Sequence, residues 1–590
     1  MSALITPSER RTRADGLALA FLLASLCLLA WRLWGRWGSL RTDCGHEVYV
    51  PASILRGRLL YRDLWYPWGP LAPYLEAGLL RVFGLRLEVL YALGLATTAA
   101  CLALLFSISR RFLSTLPAFV VALAFLLQAL RPELFNFVFP YGYAAPIACL
   151  LGFLFLHSLL RRIQGGAPRH LVHAALAAAL ALLTKIEFGV ACVATLGLAL
   201  LLQARLSGNW QSFKKDLLRC LPAALLVIAG YGVFVSKTSL SFILFENFNS
   251  FPGSIFMKSY GAAWVRLQGL RFDPPELLAS GASIALVLVA WLVLGRLLAW
   301  GNRSGRVALA LLFGAGLLAL AMPHGMNARR AANAMLWLCF PISMFWLTPL
   351  LAAREALRCV RRQVGASVEL TATSIFGTLL GSRVMLAVRP RGYPIFYSAL
   401  LFMVFMIWIG RVIGNAPRVS RALALLHAGV LGVLLMPHAP AGQAPLSTDI
   451  GTIYGNQVDV ARFRRISGFM RRQSRHGDRI VVLPEETLLY VLAGVEAPTR
   501  WYQTTPGIMG PEQEQEYLRL MERARVDYII VTNHANYPYG VPFFGLDYHQ
   551  RIYEWLLARY EPVREFGKVR PGEGSPLAAR LYRLRRSPPE

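Results

Sequence analysis

The chain is short of charge, and above all of negative charge. Only 16% of its 590 residues are charged, and 32 Asp and Glu stand against 61 Lys and Arg. A soluble globular chain is usually about 25% charged, so the shortage excludes a disordered chain and an ordinary soluble enzyme. Signature motifs are missing as well. There is no Gly-x-Gly-x-x-Gly and no phosphate loop, which leaves a nucleotide-binding role without support. His-x-x-x-His, His-Glu-x-x-His and the serine-hydrolase signature are absent, so nothing reads as a metal site or a serine nucleophile. Cysteine is sparse, with eight residues and no Cys-x-x-Cys. Cys27, Cys101, Cys149, Cys192 and Cys339 lie in apolar stretches and read as small buried hydrophobes. Cys44 alone falls in an outer loop, so no disulfide framework follows. No internal repeat and no low-complexity segment occurs. A net charge of +29 would suggest nucleic acid in a soluble protein. Here no basic tract is interleaved with aromatics, and no nucleic-acid partner is expected.

What is abundant is apolar. The chain is 56% hydrophobic with a mean hydropathy of +0.47, the composition of a polytopic membrane protein. Arg10, Arg11 and Arg13 precede an apolar run from Leu17 to Trp31, which reads as an uncleaved first span rather than a signal peptide. Apolar windows recur near 17–36, 88–108, 116–130, 141–160, 171–184, 188–204, 219–236, 277–298, 307–322, 334–351, 371–388, 395–411 and 421–436. That predicts about 13 transmembrane helices of roughly 20 residues. With the N-terminus inside, every inner loop is basic, for example Arg110 and Arg111, Arg161 and Arg162, Lys214 and Lys215, and Arg361 and Arg362. The expected location is the cytoplasmic (inner) membrane, with a cytoplasmic N-terminus and a periplasmic or extracellular C-terminal part.

Two units are expected: a membrane domain over 1–436, with a first outer loop at 37–87, and an extracytoplasmic α/β domain over 437–590. The first outer loop is aromatic, and Pro73 to Phe83 within it predicts an amphipathic helix at the interface. In the tail, strands are predicted at 478–484, 526–533, 562–568 and 579–585, and helices at 512–525 and 547–560.

Asp43 and Glu47 follow the first span in DCGHE, at i and i+4, where one helical face could carry both. Each is either a solvated loop charge or a general base for an incoming hydroxyl. Asp63, in YRDLWYPWGP, reads as an aspartate that fixes its loop through backbone amides. Lys185 and Glu187 sit at an outer span end, where charge is costly and is paired, snorkelling or functional. Arg329, Arg330, Arg383, Arg389 and Arg391 break the charge bias of the other loops. Such arginines suit a lipid phosphate, whose oxygens the planar guanidinium binds bidentately, or they snorkel to headgroups. His324 could add a donor nearby.

The pattern resembles bacterial membrane glycosyltransferases of the GT-C superfamily. The likeness is nearest to the galacturonosyltransferase-like family and more distant to protein mannosyltransferases and the aminoarabinose lipid A transferase. It rests on one span followed by an acid and then Ile-Leu-x-Gly-x-x-x-Tyr-Arg-Asp-x-Trp-x-x-x-Gly-Pro at 54–70. Lys-x-Glu at 185–187, the ARRAAN loop and the C-terminal α/β part add to it. The resemblance implies an inverting sugar transfer from a polyprenyl-phosphate donor to a hydroxyl on a lipid, glycan or protein acceptor. It implies Asp43 as catalytic base with Glu47 as the alternative, Glu133 in RPELFNF as a further acid near the site, and arginines on the departing phosphate. No cofactor is expected, and a divalent cation is left open. Membrane lipids are the remaining partners. The competing class is a transporter or flippase of lipid-linked sugars, which would also need outer arginines and many spans.

Overall fold

The computed structural model describes residues 12–267, 289, 347–363, 366–384, 393–412, 435–569 and 576–585, with a few positions between 424 and 432. Spans expected near 277–298, 307–322 and 334–351 lie almost wholly outside the described residues. So do Arg329, Arg330, Arg389, Arg391 and His324.

The chain enters through α1 (Arg13–Leu33), which opens on a capping box. The Thr12 hydroxyl accepts the Asp15 N–H at 3.2 Å and the Asp15 carboxylate accepts the Thr12 N–H at 3.0 Å, satisfying two orphan donors. Asp15 also meets Arg110 Nε at 2.6 Å and accepts the Thr115 hydroxyl. This one carboxylate therefore ties α1 to α4 (Leu87–Ser109) and α5 (Thr115–Ala129) at one end of the bundle.

Next come α6 (Ala144–Ile163), α7 (Arg169–Leu182), α8 (Ile186–Ser207), α9 (Trp210–Arg219) and α10 (Leu221–Val235). Among the described residues, Arg13–Leu33, Leu87–Ser109, Ala144–Ile163, Ile186–Ser207 and the run Trp210–Val235 are long and apolar enough to cross a membrane. The apolar helices Thr115–Ala129, Arg169–Leu182, Val368–Gly381 and Ser398–Trp408 are shorter. At 1.5 Å per residue a 15-residue helix reaches only about 22 Å, less than the hydrocarbon thickness of about 30 Å. The α6 window is 78% buried and that of Trp210–Val235 only 11%. So α6 forms the middle of the bundle, against α4, α7 and α8, and α10 lies at its rim.

The loop after α1 folds into α2 (His46–Leu55) and α3 (Leu71–Phe83). The expected amphipathic helix is α3. It buries Ala72, Pro73, Glu76, Ala77 and Leu80 and leaves Leu75, Val82 and Phe83 exposed. The stretch between is pinned by backbone bonds from Gly69 to Thr184 and from Leu71 to Leu183, at the turn between α7 and α8.

The C-terminal region begins with an antiparallel hairpin, β1 (Gln443–Thr448) and β2 (Gly451–Asn456). Tyr454 N–H donates to Gly35, just after α1, and Leu87 N–H at the start of α4 donates to Ile450. A helix, Gln457–Arg475, follows, and then β3 (Ile480–Leu483), β4 (Tyr528–Thr532), β5 (Tyr560–Phe566) and β6 (Ala579–Leu584). The sheet order is β3-β4-β6-β5, with β3 and β4 parallel and the other pairs antiparallel. Helices at Pro511–Arg523 and Gln550–Arg559 match the predicted ones. The hairpin and the helix Gln457–Arg475 were not predicted. That helix is rich in arginine, yet it buries Val460, Phe463, Ile466 and Met470 along one stripe. Those side chains belong to the same apolar cluster as Leu22, Leu33 and Leu90 of the bundle, so the packing is continuous from the helices into this region.

Candidate active site

Asp43 lies in the turn between α1 and α2, half-buried, at φ 39°. The shared helical face expected for Asp43 and Glu47 does not form: Asp43 precedes α2, and Glu47 sits in its first turn. A left-handed conformation at a non-glycine residue costs about 1–2 kcal/mol and persists only where its surroundings over-determine it. Here His46 N–H donates to the Asp43 carbonyl at 2.9 Å, and the Asp43 N–H donates to Glu485 Oε1 at 2.9 Å. The Asp43 carboxyl oxygens themselves receive no hydrogen bond among the described residues.

Glu485 comes from the C-terminal region. It and Glu486 follow β3, and His534 follows β4 two residues after Thr532. Because β3 and β4 are parallel neighbours, their carboxyl ends open on one side, where α/β sheets bind ligands. His534 bridges the two acids: Nε2 lies 3.0 Å from Glu485 Oε2 and Nδ1 lies 3.1 Å from Glu486 Oε1. Glu486 also pairs with Arg41 Nε at 3.0 Å and accepts the Thr532 hydroxyl. A chain of contacts thus runs Arg41, Glu486, His534, Glu485, Asp43. The sequence reading missed its C-terminal half. The signal was present, since acids and a histidine stood directly after two predicted strands, but the pairing of those strands was needed to join them.

Behind Asp43, Glu47 Oε1 lies 2.6 Å from His46 Nε2, and Glu47 Oε2 accepts the Tyr143 N–H at 2.5 Å. The His46 ring packs against Tyr66 and Trp68. Trp68 meets Tyr141 edge-on, and Lys185 Nζ sits 5.0 Å from the Trp68 ring centroid. Lys185 pairs with Glu187 at 3.2 Å, and Arg383 Nε approaches the same carboxylate at 3.5 Å. Glu187 also accepts the Tyr397 hydroxyl, and Arg383 donates to Ser250. Of the sequence candidates, Glu47 reaches the Trp68 ring through His46, and Lys185, with Glu187 and Arg383 behind it, reaches the same ring directly. Asp63 accepts the Leu59 N–H at 2.8 Å and pairs with Arg62, so it fixes the loop. Glu133 pairs with Arg131 at 2.7 Å on a partly open loop.

Burial and the Glu485 carboxylate push the Asp43 carboxyl up to about 7, against the opposing pull of His46 and His534. Burial alone would lower His534, but the two glutamates push it up to about 10. Burial would raise Glu486, and His534 with Arg41 hold it below the usual range instead. His46 is raised because Glu47 outweighs its burial. The site therefore holds one carboxylate poised to take a proton near neutral pH, next to the ion-paired His534 and Glu486. Among the described residues, no group of three His, Cys, Asp or Glu is placed to hold a metal ion.

No family model and no curated protein matches the chain. Among solved structures it is similar to the archaeal oligosaccharyltransferase AglB from Archaeoglobus fulgidus, in complex with an inhibitory peptide and a dolichol-phosphate. That match has 13% identity and a TM-score of 0.47, and covers 88% of this chain and 70% of that one. The chain is also similar to ArnT from Cupriavidus metallidurans bound to undecaprenyl phosphate, at 13% identity and a TM-score of 0.42, covering 96% and 98%. At such identity and overlap, no residue's role is carried across.

Proposed function

We propose that the chain is an integral membrane glycosyltransferase of the GT-C type. It moves a sugar from a polyprenyl-phosphate donor to a hydroxyl acceptor at the outer face of the cytoplasmic membrane, with inversion and with Asp43 as general base. The observation that carries this reading is Asp43 itself. Its carboxyl accepts no hydrogen bond among the described residues, its proton affinity is tuned to about neutral pH, and its loop directly follows a membrane helix. Glu47 is the weaker candidate, because His46 and the Tyr143 N–H already occupy both of its oxygens.

In this mechanism the acceptor hydroxyl binds beside Asp43. Asp43 takes its proton as the oxygen attacks the anomeric carbon, and the bond to the lipid phosphate breaks on the opposite face. The transition state has oxocarbenium character, as in glycoside chemistry. Charge develops on the leaving phosphate, and Lys185 and Arg383, which share the Glu187 carboxylate, are proposed to meet it. Arg329, Arg330 and Arg389 are proposed as further phosphate ligands from the arginine-rich outer segments.

The test is transfer from a panel of radiolabelled polyprenyl-phosphate sugars by the protein in nanodiscs, with wild type and Asp43→Asn side by side. A positioned base contributes about 10²–10⁴ in rate, so the variant should be nearly inactive though folded. Full activity in a folded Asp43→Asn protein would sink the assignment. Donor binding without turnover in both proteins would favour a lipid-linked sugar transporter instead.

A further inference from the structure

We propose that Glu485, clamped by His534, is a positioning residue for Asp43, so that the C-terminal region is a working part of the active site. The inference rests on the reading of Asp43 as base. Three independent observations support it. First, the Asp43 N–H donates to Glu485 Oε1 at 2.9 Å, in a charge-assisted bond across 442 positions of sequence. Second, the backbone is strained at Asp43 itself and at the residue after Glu485: Asp43 at φ 39° and Glu486 at φ 29° are non-glycine residues in left-handed backbone. Such outliers are held only by surroundings that over-determine them. Third, the two segments touch backbone to backbone. A Cβ placed on Gly45 would lie 2.3 Å from the Leu488 nitrogen and 3.0 Å from the Thr487 carbonyl carbon, so this position admits glycine alone.

The division of labour follows from charge. Asp43 is faced by His46 and Glu47 from α2 and by Glu485 and His534 from the C-terminal region, with Cys44 and Tyr502 adjacent. Glu485 holds the backbone that aims Asp43 and repels its carboxylate, which makes it a better proton acceptor. His534 offsets that repulsion and is itself anchored by Glu486 and Arg41. A purely structural contact would stabilise the region without setting the basicity of Asp43. A positioning contact sets both.

The experiment uses dicyclohexylcarbodiimide, an apolar reagent that modifies protonated buried carboxyls, on the full chain in nanodiscs. Peptide mass spectrometry reads the fraction labelled at Asp43 against pH. Glu485→Gln keeps the acceptor for the Asp43 N–H but removes the repelling charge, so half-labelling should move to lower pH by about one unit or more. His534→Gln removes the offsetting charge, so half-labelling should move the other way. Gly45→Ala keeps every charge and drives the segments apart, so transfer at its pH plateau should fall by about 10²-fold, as for an approximately 1 Å misplacement. Unmoved half-labelling in Glu485→Gln, or shifts of the same sign in Glu485→Gln and His534→Gln, would overturn the proposal. That readout needs no sugar donor, so its failure is distinct from failure of the Asp43 base, which is read by full activity in Asp43→Asn.

Discussion

Asp43→Asn should make the folded protein more stable at pH 8 and leave it unchanged at pH 4. The reason is the carboxyl's position, held at about 7 against an ordinary value of 3.8. An acid whose folded value is raised costs stability as pH climbs: the unfolded chain ionises it first, from about pH 4, and the folded one only through pH 7. Below pH 4 both states hold the proton, and the cost vanishes. Above pH 7 the cost is complete. At about 1.4 kcal/mol per unit, the 3.8-to-7 displacement corresponds to roughly 4 kcal/mol as an upper bound. Rearrangement of the half-buried loop reduces it, and a gain of about 1–3 kcal/mol in the variant is the expected outcome. The assay is thermal unfolding of both proteins in the same nanodiscs at pH 4, 6 and 8, with the difference between them followed across pH. The variant's advantage should be absent at pH 4, partial at pH 6 and largest at pH 8. Equal unfolding temperatures at all three values would refute the claim that this carboxylate is held in a destabilised charge state. The same substitution that stabilises should remove catalysis, which is the trade-off expected where function requires strain.

Other predictions follow from the same geometry. Transfer by the wild type should rise about tenfold between pH 6 and pH 8, because a base with a midpoint near 7 goes from mostly protonated to mostly ionised; a flat profile over that range would remove Asp43 as the titrating group. The pairing of His534 with Glu485 and Glu486 contributes stability that is complete below about pH 6.5 and lost as pH rises through about 10, so apparent unfolding temperatures should fall progressively between about pH 7 and pH 10 in wild type and less so in His534→Gln. Arg383→Ala should raise the donor concentration needed for half-maximal transfer by about tenfold or more, since it removes a charge that can meet phosphate; an unchanged donor dependence would dismiss the clamp. Asp15→Ala should cost about 2–4 kcal/mol by removing a capping box and uncovering Arg110, with no change in the pH midpoint of transfer.

The sequence by itself determined the apolar helices, the basic loops between them, the amphipathic helix in the loop after α1, and most strands and helices of the C-terminal region. Each of these is local: hydropathy over about 20 residues, periodicity over about 10, or charge between spans. It also singled out Asp43, Glu47, Lys185, Glu187 and Arg383, because charge at the edge of an apolar span is conspicuous wherever the chain then goes. Tertiary structure decided what those charges contact. The left-handed backbone at Asp43 takes it off the face of α2, so the i and i+4 spacing to Glu47 had no bearing on their arrangement. The parallel pairing of β3 with β4 set Glu485, Glu486 and His534 side by side, although Glu485 and His534 are 49 positions apart in the chain. The docking of Thr487 and Leu488, in the segment after β3, on Gly45 then placed them against Asp43. Contacts between distant segments leave no period and no composition in the sequence, and the environment that tunes a carboxylate is made of such contacts.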